Sequence, residues 1–86
     1  MSNAGWLERK GFVPHGSGYQ GDVGPYRIHV VPYLDEREWE AVDPVTSVMG
    51  HGPTPQEALL DLIESMEARK ARLNAMLRLM REFVSE

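Results

Sequence analysis

The chain has no cysteine among its 86 residues. That excludes a disulfide framework, a thiolate zinc site and a cysteine nucleophile together. No apolar run approaches the roughly 18 residues that a membrane span needs. The opening Met1-Ser2-Asn3-Ala4-Gly5 lacks both a basic region and an apolar core. No secretory signal is read there, and a cytoplasmic protein is the expectation. Excess positive charge is missing too: the net charge is −4, and the pI is near 5.3. A chain of that balance repels nucleic acid and anionic membrane as a whole. Glycine and proline disappear after Pro55, so every breaker lies in the first two thirds of the sequence.

What is present is ordinary for one small folded domain, with 42% apolar and 26% charged residues. At this length folding buries only about 60–65% of the extended chain's surface. The margin of stability is thin, and oligomerisation is a common remedy.

Residues 1–25 read as an N-terminal arm. Asn3 can cap a short helix through Trp6, Leu7 and Lys10, with Gly11 as its stop. Phe12 and Val13 continue as an extended piece. Residues 16–25 hold four glycines in ten positions and read as a Gly-rich loop, with a short strand around Tyr19 as the alternative.

Residues 26–86 read as a β-β-β-α domain. Tyr26–Tyr33 is β-branched and aromatic, with Tyr26, Ile28 and Val30 on one face. Pro32 should end that strand or place it at a sheet edge. After the polar turn Asp35-Glu36-Arg37, Glu38–Val42 alternates with Trp39 and Ala41 facing in. Asp43-Pro44 is a second turn. Val45–Met49 is expected as a third strand, closed by Gly50-His51-Gly52-Pro53. Strands this close in sequence make an antiparallel meander.

Thr54-Pro55-Gln56-Glu57 is a helix start: Thr54 as N-cap, Pro55 at the first helical position, Glu57 completing a capping box. Acidic residues come early in the helix (Glu57, Asp61, Glu64, Glu67). Basic ones come later (Arg69, Lys70, Arg72, Arg78, Arg81), as the helix dipole favours. The spacing predicts one helix over about 55–84, a rod of roughly 45 Å. Strands of five to eight residues span only about 17–26 Å. The expected fold is therefore α+β: a three-stranded antiparallel sheet, or four-stranded with a piece of the arm, packed by the first half of one long C-terminal helix.

An apolar stripe runs the length of that helix, interrupted at Arg69 and Lys70. Leu59 to Met66 suits its own sheet. Beyond the charged waist lie Leu73, Met76, Leu77, Leu79, Met80, Phe83 and Val84. Leaving that patch wet forfeits on the order of 10 kcal/mol, an upper bound comparable to the whole stability of such a domain. The expected partner is the chain itself, a homodimer or larger, through Leu73, Met76, Leu77, Met80, Phe83 and Val84. The alternative cover is residues 1–25 folding back with Trp6, Leu7, Phe12 and Val13.

Chemistry-bearing residues are sparse. His15, His29 and His51 lack the close spacing of a zinc site. Asp35, Glu36, Glu38, Glu40 and Asp43 crowd a turn and a strand, as a solvated face does. Ser17, Thr46, Ser47 and Ser65 have no neighbouring base signature. Gly16-Ser17-Gly18 is not a phosphate loop, because no Lys-Ser/Thr pair follows. No catalytic, cofactor-binding or metal residue is assigned, and no enzyme is expected. Arg69, Lys70, Arg72, Arg78 and Arg81 could make a nucleic-acid stripe, but dipole matching explains them equally well.

From Tyr26 to about Met66 the chain resembles the HicB-like antitoxin family. The matching pieces are Tyr26–Tyr33, Glu38–Val42 with its aromatic Trp39, Val45–Met49, and Gly52-Pro53-Thr54-Pro55-Gln56-Glu57-Ala58-Leu59 against the family's G-x-T-x-x-E-A. The resemblance implies a partial ribonuclease-H-like β-β-β-α fold without nuclease activity. It also implies assembly into dimers or larger oligomers, and occlusion of a small RNase toxin. Family members often continue into a DNA-binding segment, whereas here the helix runs on. The expected function is a non-catalytic, homo-oligomerising protein-interaction module, and a small phage or mobile-element protein fits it. The alternatives are a nucleic-acid-associated transcriptional regulator, a toxin-neutralising antitoxin, or a cryptic metal-dependent nuclease using Asp43 or Glu40.

Overall fold

Five strands lie in chain order across one antiparallel sheet in the computed structural model, which describes residues 2–85. They are β1 (Val13–His15), β2 (Gly18–Val23), β3 (Tyr26–Tyr33), β4 (Glu38–Val42) and β5 (Met49–Gly52). A short helix α1 (Asn3–Arg9) precedes them, and the long helix α2 (Pro55–Ser85) follows. The class is α+β, as the sequence led us to expect, but the sheet has five strands and not three or four.

The two extra strands come from residues 13–23, expected to be mostly loop. Tyr19 and Val23 alternate with glycines, and the glycines are packing positions. A side chain at Gly21 would start 2.6 Å from the ring of Phe12, which lies flat on the bare backbone there. Gly24 at φ 60 opens a two-residue turn of the primed type with Pro25, closing the β2–β3 hairpin at Val23–Tyr26. The helix cap also moves: Ser2 is the N-cap of α1, its Oγ accepting from Gly5 N at 2.9 Å, and Asn3 is the first helical residue.

β3 and β4 fall where expected, with Trp39 and Ala41 fully buried. Pro32 does not end β3. It faces Trp39 of β4, and on its other side the β2 pairing has already stopped at Tyr19–Val30. The strand is central, yet locally an edge at its proline.

The third expected strand is displaced. Val45–Val48 forms the loop, and β5 is Met49–Gly52, which takes the last residue of the expected strand and the Gly50-His51-Gly52 expected in the closing turn. The reason is the approach of α2. A Cβ on Gly50 would stand 2.1 Å from Leu62 N and 2.4 Å from Ala58 O. Strand and helix thus touch backbone to backbone, which only glycine permits. Asp61 of α2 accepts from His51 N at 2.8 Å, capping a donor of the edge strand.

α2 begins at the expected Thr54 cap. Thr54 Oγ1 accepts from Glu57 N at 3.2 Å, Thr54 O accepts from Ala58 N, and Pro55 is buried at the first position. The core is one cluster: Leu7, Phe12, Ile28, Val30, Trp39, Ala41, Ala58 and Leu62. It holds only the first turns of α2. From Glu67 to Ser85 every residue is exposed, and the molecule measures 57 × 24 × 20 Å.

Candidate functional site

Where α2 leaves the sheet, its apolar face continues with none of the described residues closing over it. The space beneath is an open groove of about 710 Å³. Its floor is the β2–β3 hairpin, through Val23, Tyr26 and Ile28. Its walls are Val48 and the helix residues Leu59, Ile63, Met66, Leu73 and Leu77.

Each wall has a local cause. Val23 and Tyr26 flank the Gly24-Pro25 turn, so the hairpin tip carries apolar side chains out past the core. The β4–β5 loop is stapled by Asp43, the one buried acid of the core region. Its carboxylate accepts from Val45 N at 3.1 Å and from Thr46 Oγ1 at 2.7 Å, and its carbonyl accepts from Ser47 N. Arg69 then ties helix to loop, its Nη1 donating to Thr46 O at 3.2 Å. The charged waist of the sequence is therefore a joint. It ties α2 to the β4–β5 loop through Arg69, and Arg69 and Lys70 line the groove between two apolar stretches.

All six residues expected to mediate assembly are exposed in the single chain. Leu73 (55% exposed) and Leu77 line the groove; Met76 and Met80 follow; Phe83 and Val84 are more than 80% exposed. The N-terminal residues do not fold back over them. Leu7 and Phe12 are committed to the core, and β1 and β2 to the sheet. Reading 16–25 as loop hid the groove's floor. The alternation of Tyr19, Gly21 and Val23 before a Gly-Pro turn was the signal for it.

The remaining candidates do not converge. His15 and His29 meet edge to face with centroids 5.6 Å apart, and His51 Nε2 lies 2.9 Å from Glu40 Oε2 on the side of the sheet away from α2. Asp43 faces the groove and is saturated by its own loop. Glu40 and Asp43 thus lie on opposite faces and cannot share one cation, because side chains alternate along a strand. Among the described residues, no three His, Cys, Asp or Glu are grouped so as to hold a metal. No described helix is long and apolar enough to cross a membrane. The molecule so defined is a five-stranded meander with a helical overhang and an open apolar groove. Compared with known proteins, the chain matches no family model, no curated protein and no solved structure.

Proposed function

We propose that the chain is a non-catalytic, cytoplasmic protein-interaction module that assembles with itself through the distal half of α2. One observation carries this reading: beyond the charged waist at Arg69 and Lys70 an apolar stripe continues along the same helix, and it is exposed among the described residues. Single exposed apolar residues are normal on any surface. A contiguous stripe of Leu73, Leu77, Met80, Phe83 and Val84 running out of a groove is the mark of an interaction site. In its HicB-like form the reading adds a small protein partner, such as a toxin, to the self-association.

Light scattering tests it on the full chain and on Leu73→Glu/Met80→Glu. The expected masses are a dimer or larger for the natural sequence and a folded monomer for the variant. A folded monomer for the natural sequence at micromolar concentration sinks the proposal.

A further inference from the structure

The groove and the exposed stripe are two halves of one interface. Resting on the self-association proposed above, we infer that two copies pair α2 to α2 in antiparallel fashion, with a two-fold axis beside residue 75. Each copy seats its last helical turns in the other's groove.

Three observations select this occupant and register. The first is shape. The sheet-facing stripe of α2 runs through Met66, Lys70, Leu73, Leu77, Met80 and Val84, at alternating spacings of three and four. Reversed upon itself about residue 75, it sets Leu73 against Leu77 of the second copy, Lys70 against Met80, and Met66 against Val84. The overlap begins where the sheet's cover of α2 ends, near Met66, and uses the remaining helix for about 28 Å. Phe83 and Val84 then arrive at the groove floor formed by Val23, Tyr26 and Ile28.

The second observation is charge. A parallel pair would stack Arg69 on Arg69 and Lys70 on Lys70. An antiparallel pair centred one turn nearer the sheet, at about residue 71, would set Lys70 of each copy level with Arg72 of the other. Like charges so placed repel, and they specify against a register. At residue 75 Lys70 falls beside Met80 instead, and its aliphatic stem can lie along it; Arg72 and Arg78, level with each other, lie well off the stripe, and Arg69 and Arg81 lie on its opposite flanks.

The third is area. Val23, Tyr26, Ile63, Leu73, Met76, Leu77, Met80, Phe83 and Val84 are all about half exposed or more. At roughly 100 Å² each they offer on the order of 900 Å² per copy, against the about 800 Å² per partner of a standard interface. The helix stripe alone falls short of that; with the groove floor it reaches it.

The absence of native cysteine makes the register readable by disulfide trapping. Full-length Met66→Cys and Val84→Cys chains are mixed and oxidised, then resolved on a non-reducing gel with the cross-linked peptides identified by mass spectrometry. The expected result is a covalent 66–84 dimer from the mixture and none from either variant alone. Lys70→Cys with Met80→Cys, both at exposed positions, is a second pair should Met66→Cys disturb folding. Tyr26→Ala reports on the groove: Tyr26 is 66% exposed and remote from α2 in sequence, and its loss should weaken dimerisation about tenfold.

Covalent dimers from each variant alone overturn the antiparallel register and leave self-association standing. An unchanged dissociation constant for Tyr26→Ala overturns the seating in the groove. A folded monomer by light scattering, with or without a co-purified apolar small molecule in native mass spectra, overturns both the register and the self-association on which it rests.

Discussion

The indole Nε1 of Trp39 donates a 3.1 Å hydrogen bond to the carbonyl of Glu36. The largest fully buried side chain is thereby fastened to the β3–β4 turn, where Leu34, Asp35 and Glu36 hold φ values of 51°, 55° and 67°. Three consecutive left-handed residues without a glycine are costly, at about 1–2 kcal/mol each. Arg37 reinforces the turn, donating to Leu34 O from both its backbone N and its Nε.

Trp39→Phe should remove that bond and leave a cavity beside Ala41 and Gly52. We expect a loss of about 2–3 kcal/mol by urea denaturation, of which the bond accounts for about 1. A loss below about 1 kcal/mol means the ring is not packed as described.

Leu34→Gly should stabilise the protein by about 0.5–1 kcal/mol. Leu34 is exposed, so little burial is lost, and the strain of its left-handed backbone is relieved. Tyr33→Gly, one residue earlier in β3, should destabilise. If both lower the urea midpoint, the turn does not have this conformation.

Gly50→Ala is expected to cost more than about 3 kcal/mol, because the new methyl would overlap the backbone of α2 at Leu62 and Ala58. His51→Ala removes only a partly exposed pair with Glu40 on the opposite face, and should cost less than about 1 kcal/mol. Comparable losses at the two positions would mean that α2 does not lie against β5.

Amide exchange should divide α2 in two. Residues 58–62 are locked by the core and should exchange only through global unfolding. Residues 73–84 are exposed, with no cover among the described residues. An isolated helix of that length is marginal in water, so their protection should fall on dilution while that of 58–62 does not. Protection of both stretches that is independent of concentration contradicts this.

How much of this was legible varied with what each residue type does. β3 and β4 showed because their β-branched and aromatic residues alternate. α2 showed because Thr54, Pro55 and a breaker-free run announce a helix. The exposed stripe was readable for the same reason. β2 and β5 were not, because Gly21, Gly50 and Gly52 signal turns by composition while serving as contact points for Phe12 and α2. That function depends on what lies across the core, which local sequence does not record. The groove inherited the omission, since its floor is the hairpin that the glycines concealed. Arg69 read as an interruption of the stripe, and its bond to Thr46 was invisible for the same non-local reason.

One continuous helix joins the core to the overhang without a glycine or proline. Whatever grips the far end is therefore held at a fixed distance and rotation from β5, and the residue count between Met66 and Leu73 acts as a ruler. A seven-residue insertion there would lengthen the reach by about 10 Å and keep the stripe nearly aligned, whereas five residues would swing it to the opposite side. What the molecule presents to its surroundings is set by arithmetic along a rod as much as by chemistry on its surface.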